Sequence, residues 1–276
     1  MIFLAVAWSL KDVSFQLEKG YIMGFIGANG AGKTTTIKSI LNMIHLDRGE
    51  IHILGKNMAE HELELKQDIG VAVGGMNFYT RSKIKTLTNT IKKFYKNWDE
   101  ATYRNCLRKF KLDENKRIIE LSEGMKIKYS LSLALSHGAK LLILDEPTSG
   151  LDPVARDNLL DIFQDLVVDG EISILFSTHI TSDLEKCADF ITFIENGQII
   201  QSMEKEDFKE SYRLLNGNES QLHQVKEKLI SYKTNSFGFT GLIHFSNYDP
   251  SANIKATVPT LEEILIFFAK KEDMYV

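Results

Sequence analysis

The chain has 276 residues, 43% hydrophobic and 25% charged, which is the composition of an ordinary globular protein with room for a large core. Its net charge of −4 gives no electrostatic basis for non-specific nucleic-acid binding. Two cysteines without paired spacing, Cys106 and Cys187, predict neither a disulfide framework nor a thiolate metal site and point to a reducing compartment. No apolar run reaches the roughly 18 residues that would cross a bilayer, and the opening "MIFLAVAW" lacks the basic flank of a signal peptide.

"YIMGFI" (21–26) predicts a short buried strand, and Ile37, Ile40, Leu41 and Ile44 fall at helical spacing within 34–44. Between them lies "GANGAGKT" (27–34), with three glycines in six residues. Glycine is entropically costly in regular structure, so something here requires bare backbone. A strand, then G-x-x-x-x-G-K-[ST], then a helix is the context of a phosphate-binding loop. Backbone N–H groups of Gly27, Ala28, Asn29, Gly30, Ala31, Gly32, Lys33, Thr34 and Thr35 converge on an anion at the positive end of a helix dipole. Lys33 is expected to reach the β- and γ-phosphates of a nucleotide, and Thr34 to ligate Mg²⁺.

"DIGVAV" (68–73) predicts a further strand. The segment 88–110 predicts an amphipathic helix with Ile91, Phe94, Tyr95, Leu107 and Phe110 on its apolar side, the aromatics in a core, and Lys92, Lys93 and Lys96 on a basic face. "LLIL" (141–144) predicts a buried strand ending in Asp145 and Glu146. Acidic residues at the C-terminal end of such a strand lie where α/β sheets bind ligands; Asp145 is expected to hold Mg²⁺ and Glu146 to orient the attacking water. On the residues alone, a plain acidic turn before Pro147 is an equal reading. "ISILFSTH" (172–179) predicts another strand, placing His179 on the same sheet edge. Beyond residue 205 the pattern predicts a helix over 220–230, a strand over 237–245 and a final helix over 260–271 with a capping box of Thr260 and Glu263.

Taken together, these motifs resemble the nucleotide-binding subunits of ABC transporters over residues 9 to 205. "GANGAGKTT" is similar to the Walker A loop, "LLILDEP" to Walker B with its catalytic glutamate, "SGLD" (149–152) to the D-loop, His179 to the switch histidine and "LSEGM" (121–125) to the signature. The closest likeness is to single-module ATPases of ABC-2 type exporters, which serve drug and peptide-antibiotic export. The resemblance implies an α/β fold: a P-loop NTPase (RecA-like) core with a mostly parallel sheet, an antiparallel β edge and an inserted helical subdomain over about 76–138, followed by a small α+β C-terminal extension. The expected division is a nucleotide-binding domain at 1–205 and an accessory region at 206–276. It implies catalytic roles for Lys33, Glu146 and His179, nucleotide contacts from Asp152, and a signature whose Ser122 and Gly124 cap the γ-phosphate held by a second subunit. Ser122 is also expected to N-cap its own helix. The expected partners are a homodimer mate or related ATPase subunit and a separate transmembrane permease, with the chain peripheral on the cytoplasmic face of a bacterial membrane and no nucleic acid bound.

The sequence departs from the family pattern in places. Gly74 and Gly75 stand where a glutamine is usual, and Glu123 and Met125 replace a glycine and a glutamine of the signature. Counting back from Gly27 puts the adenine-stacking aromatic near Leu4, with only Phe3 and Trp8 as substitutes, so the start reads as divergent or mis-started, with weak ATP-over-GTP discrimination expected. A non-transport role on ribosomes or DNA is the alternative; a single module, the short stretch between Lys33 and Asp145, and the lack of an N-K-x-D guanine motif favour the transport motor.

Overall fold

The computed structural model describes residues 10–73 and 80–273. Apolar runs too short for helices make its first layer. β1 (Ile22–Ile26) leads through the glycine loop into α1 (Lys33–Ile40). β2 (His52–Ile53) and β3 (Lys56–Asn57) form a small hairpin, followed by α2 (Glu62–Leu65) and β4 (Ile69–Val73). Then come the helices α3 (Ile84–Ile91), α4 (Glu100–Lys109) and α5 (Glu123–Ser136). β5 (Leu141–Asp145), α6 (Pro153–Val167), β6 (Ser173–Thr178), α7 (Thr181–Cys187), β7 (Phe190–Glu195) and β8 (Gln198–Glu204) complete the first sheet.

Its six strands lie in the order β4-β5-β6-β1-β7-β8. All neighbours pair in parallel except β7 and β8, whose two-residue turn, Asn196-Gly197, has positive φ at both positions as a tight hairpin demands. The antiparallel edge is thus real. The inner strands β1 and β6 are buried at every position, which is why they read as unbroken apolar runs rather than as alternation. α1 packs through Ile37, with Leu41 just past its end, in one cluster with Ile69 and Ile143.

The remainder of the chain forms α8 (Lys205–Glu210), β9 (Tyr212–Gly217), α9 (Glu219–Val225), β10 (Leu229–Asn235), β11 (Gly238–His244), β12 (Lys255–Thr257) and α10 (Leu261–Asp273). Its strands make a second, antiparallel sheet in the order β10-β11-β9-β12. Phe208, Leu242, Ile264 and Phe267 share one hydrophobic cluster with Phe163, Phe176 and Ile191 of the first layer, so this part is packed onto the core rather than tethered to it.

The sequence expectations need correction in three places. The helix expected over 88–110 is broken: α3 tightens into a 3₁₀ turn at Lys92–Phe94, Tyr95 is extended, and a new helix starts at Glu100. Asp99 enforces the restart by accepting from Ala101 N–H at 2.8 Å and Thr102 Oγ1 at 2.5 Å. Across the break, the Gln67 side chain binds both Phe94 O and Lys96 N–H. Phe94, expected in a core, is 72% exposed. The helix expected over 220–230 ends at Val225, because Leu229–Asn235 finds a partner in β11. The Thr260–Glu263 box at the start of α10 is present in both directions.

Candidate active site

Parallel register decides what meets at the C-terminal edge of the first sheet. Ile26 aligns with Thr178, and Asp145 aligns with Ser177. The glycine loop after β1, the acidic pair ending β5 and His179 after β6 therefore emerge side by side, at the reversal of strand order where α/β sheets bind ligands.

The loop's glycines do different work. A Cβ on Gly27 would sit 2.3 Å from the Ile194 carbonyl oxygen, so the loop passes too close to β7 for any side chain. Gly30 and Gly32 have φ of +83° and +112°, in the left-handed region that glycine adopts freely. With that backbone in place, α1 starts at Lys33 with its first N–H groups uncapped by any side chain, an arrangement suited to an anion.

Lys33 is 6% exposed. Its Nζ donates to Gly27 O at 2.8 Å and Ala28 O at 3.2 Å, and lies 3.2 Å from Glu146 Oε1. The other carboxylate oxygen of Glu146 meets His179 Nδ1 at 2.8 Å. Glu146 holds a φ of +50°, costing about 1–3 kcal/mol for a residue with a side chain. Thr34 Oγ1 donates to Asp145 Oδ2 at 2.9 Å. Asn29, Gly30, Gly32, Lys33, Thr34, Thr35, Glu146, Ser149 and His179 line one cleft of about 340 Å³. A carboxylate beside a threonine hydroxyl is a hard-oxygen donor pair of the kind Mg²⁺ takes together with substrate phosphates, so the residues fit the expected ion.

Other expected residues stand apart. The Ala31 side chain is turned into the core, in one cluster with Met23, Phe25 and Ile194. Asp152 accepts from Val154 and Ala155 N–H, both at 3.0 Å, as the N-cap of α6, and does not line the cleft. Ser122 caps α5 by accepting from Met125 N–H at 3.3 Å; neither it nor Gly124 lines the cleft. Glu123 turns outward and pairs with Lys126 at 2.7 Å. Gly74, Gly75, Phe3, Leu4 and Trp8 lie outside the described residues.

Sequence reasoning missed a buried polar layer beneath the cleft. Asp183, fully buried, accepts from Thr148 Oγ1 at 2.5 Å and Thr178 Oγ1 at 3.3 Å and pairs with Arg156. Ser177 joins the acidic pair to β6. The signal was visible in principle: hydroxyls and an acid interrupt segments otherwise built for a core.

The sequence profile of one family, described as ABC transporter, matches residues 10–149. The chain is 34% identical over 203 residues to the ABC transporter ATP-binding protein YtrB of Bacillus subtilis (strain 168), covering 74% of this chain and 69% of that protein. It is 33% identical over 211 residues to the bacitracin transport ATP-binding protein BcrA of Bacillus licheniformis, covering 74% and 68%. A solved ATP-binding subunit of an ABC transporter superposes with a TM-score of 0.66 at 30% identity, over 73% of this chain and 86% of that one. A dimeric ATP-binding cassette in a post-hydrolysis state bound to ADP and Pi shares the fold, with a TM-score of 0.65 at 17% identity over 74% and 94%.

Proposed function

The chain belongs to the ABC transporter family as an ATP-binding ATPase subunit, and from that premise we propose that it pairs on ATP and powers a separate membrane-spanning subunit for export. The observation that carries this reading is the convergence of Lys33, Thr34, Glu146 and His179 on one cleft beside the glycine loop, with buried Asp145 reaching it through its hydrogen bond from Thr34. The chain's likeness to a protein named for bacitracin transport supports a drug- or peptide-type cargo. Among the described residues no helix is long and apolar enough to cross a membrane, so the spanning part is assigned to a partner, with this subunit on the cytoplasmic face.

The residues divide the work. Loop N–H groups from Gly27 to Thr35 bind the phosphates, and Lys33 exchanges its carbonyl partners for phosphate oxygens. Thr34 and Asp145 hold Mg²⁺, which when bound neutralises phosphate charge. Glu146 orients a water for in-line attack at the γ-phosphorus; the new P–O bond forms as the bond to ADP breaks, leaving ADP and phosphate. His179 fixes one oxygen of Glu146, so that carboxylate presents a single face. Ser122 and Gly124 are proposed to cap the γ-phosphate of the paired subunit, at the N-terminal end of α5, with Asp152 in the same interface. Residues 1–205 form the nucleotide-binding module in this proposal, and 206–276 an accessory unit.

Phosphoryl transfer depends on positioning and charge more than on covalent help. Glu146→Gln is therefore expected to abolish steady-state ATP turnover while ATP binding persists, and Lys33→Ala to lose binding itself. A phosphate-release assay beside an ATP titration measures both; wild-type turnover in Glu146→Gln would overturn the assignment.

A further inference from the structure

β6 carries a hydroxyl that the scheme above leaves unused. Ser177 is fully buried, two residues before His179 and directly beside Asp145 in the parallel register. Its Oγ donates to Asp145 Oδ1 at 2.5 Å and accepts the Glu146 N–H at 2.9 Å, while its own carbonyl lies 3.2 Å from that same N–H. One side chain thus touches both acidic residues, from behind the cleft rather than within it.

Each contact has a consequence. A donor on Oδ1 sets the rotation of the Asp145 carboxylate and leaves Oδ2 as the oxygen turned to Thr34. The bonds to Glu146 N–H hold that residue at its φ of +50°, which a residue with a side chain keeps only when its surroundings enforce it. In that conformation its carboxylate reaches Lys33 and His179. An extended conformation at this residue would send the side chain elsewhere.

We propose that Ser177 is a positioning residue for ATP hydrolysis, setting the face that Asp145 turns to Mg²⁺ and the backbone turn that aims Glu146 into the cleft. The inference rests on reading Asp145 and Glu146 as the hydrolytic pair. A serine that merely satisfied a buried carboxylate would, when removed, lower stability without changing how nucleotide binding depends on Mg²⁺.

The test uses the full chain with Ser177→Ala and Ser177→Cys, the latter keeping the shape with a somewhat larger atom at the hydroxyl position and offering only a weak donor. Affinity for a fluorescent ATP analogue is titrated with Mg²⁺ present and with EDTA. Turnover at saturating ATP and the thermal midpoint are measured alongside. In Ser177→Ala, turnover is expected to fall at least tenfold and the Mg²⁺ needed for half-maximal binding to rise several-fold, with affinity in EDTA unchanged. Ser177→Cys is expected to fall between, and carries the test alone if the alanine variant does not fold. Wild-type turnover and wild-type Mg²⁺ dependence overturn the proposal, as does a lowered midpoint with Mg²⁺ dependence intact. Glu146→Gln, run in parallel, separates the two failures. If it is inactive while Ser177→Ala behaves as wild type, only the inference about Ser177 fails; if it is active, the underlying reading fails.

Discussion

Glycines that look alike in sequence diverge once their surroundings are known. Gly27 lies against the Ile194 carbonyl, which β7 holds in place, so Gly27→Ala must shift one strand or the other; overpacking of this kind costs about 1–3 kcal/mol. That variant is expected to lose thermal stability and ATP binding together. Gly124 is different: a Cβ there would meet Leu151 at 3.5 Å, an ordinary contact, and alanine is the better helix former by about 1 kcal/mol. Gly124→Ala is therefore expected to melt no lower than wild type yet to hydrolyse ATP more slowly, because the proposed pairing brings this helix end against the partner's nucleotide, where a rigid fit to Leu151 leaves less room to adjust. Melting curves beside turnover rates check both, and unimpaired turnover in Gly124→Ala would contradict its proposed role. The cysteines give a third check. Both are buried, and burial pushes the Cys187 thiol up to about 12 and the Cys106 thiol above its usual range. Iodoacetamide at pH 8 is expected to spare both in the native protein and to modify both in denaturant. At this scale the sequence showed Lys33, Thr34, Asp145 and Glu146 because their spacing is chemical. It hid Ser177 and Asp183, whose contacts exist only between elements that folding brings together.

Among the elements, α5 spans the distance from Ser122 to the junction with the sheet, where His137 ends it. The His137 ring stacks on Tyr95 with centroids 3.8 Å apart, and its Nδ1 lies 3.0 Å from Gln67 O. Burial lowers the affinity of this imidazole for a proton, against smaller opposing effects from its backbone hydrogen bonds and from Asp68. The neutral ring is thus the folded form. Below the ordinary histidine pKa of about 6.5, the unfolded chain binds a proton that the folded chain resists, so stability falls as pH falls. Above about pH 7 the effect vanishes. His137→Gln is expected to melt below wild type at pH 7.5, with the gap narrowing toward pH 5.5 as the wild type alone pays for protonation. A gap constant across that range would contradict the account. β1, β4, β5 and β6 were legible because parallel strands inside a covered sheet are apolar runs, whereas β7 and the half-exposed antiparallel β8 were not read as strands. The break between α3 and α4 was not, since it depends on Gln67, a residue distant in sequence that satisfies the freed backbone. The strand at Leu229–Asn235 was equally hidden, because its partner across the sheet outweighs the local helical spacing.

For the whole molecule, the motif order announced the nucleotide core, while the second sheet emerged only in part, its strands carrying no chemical signature. One face of it, with Tyr212, Leu214 and Leu242 and the helix residues Ile264 and Phe267, merges with the main cluster, while Leu215, Phe239 and Ile243 form a cluster of their own, so removing it would expose the core and is expected to unfold the nucleotide module rather than release it. ATP-driven pairing is what the divided site requires. In one chain the loop and Glu146, with Asp145 behind Thr34, meet in a cleft that neither Ser122 nor Gly124 lines, and the proposed pairing joins them across two copies. Sedimentation of Glu146→Gln, with and without Mg²⁺ and saturating ATP, tests this most directly. The account predicts a shift on adding ATP from the 31.4 kDa of one chain to twice that mass, absent in Glu146→Gln carrying Lys33→Ala; a Glu146→Gln protein that binds ATP yet sediments as a single chain would contradict it.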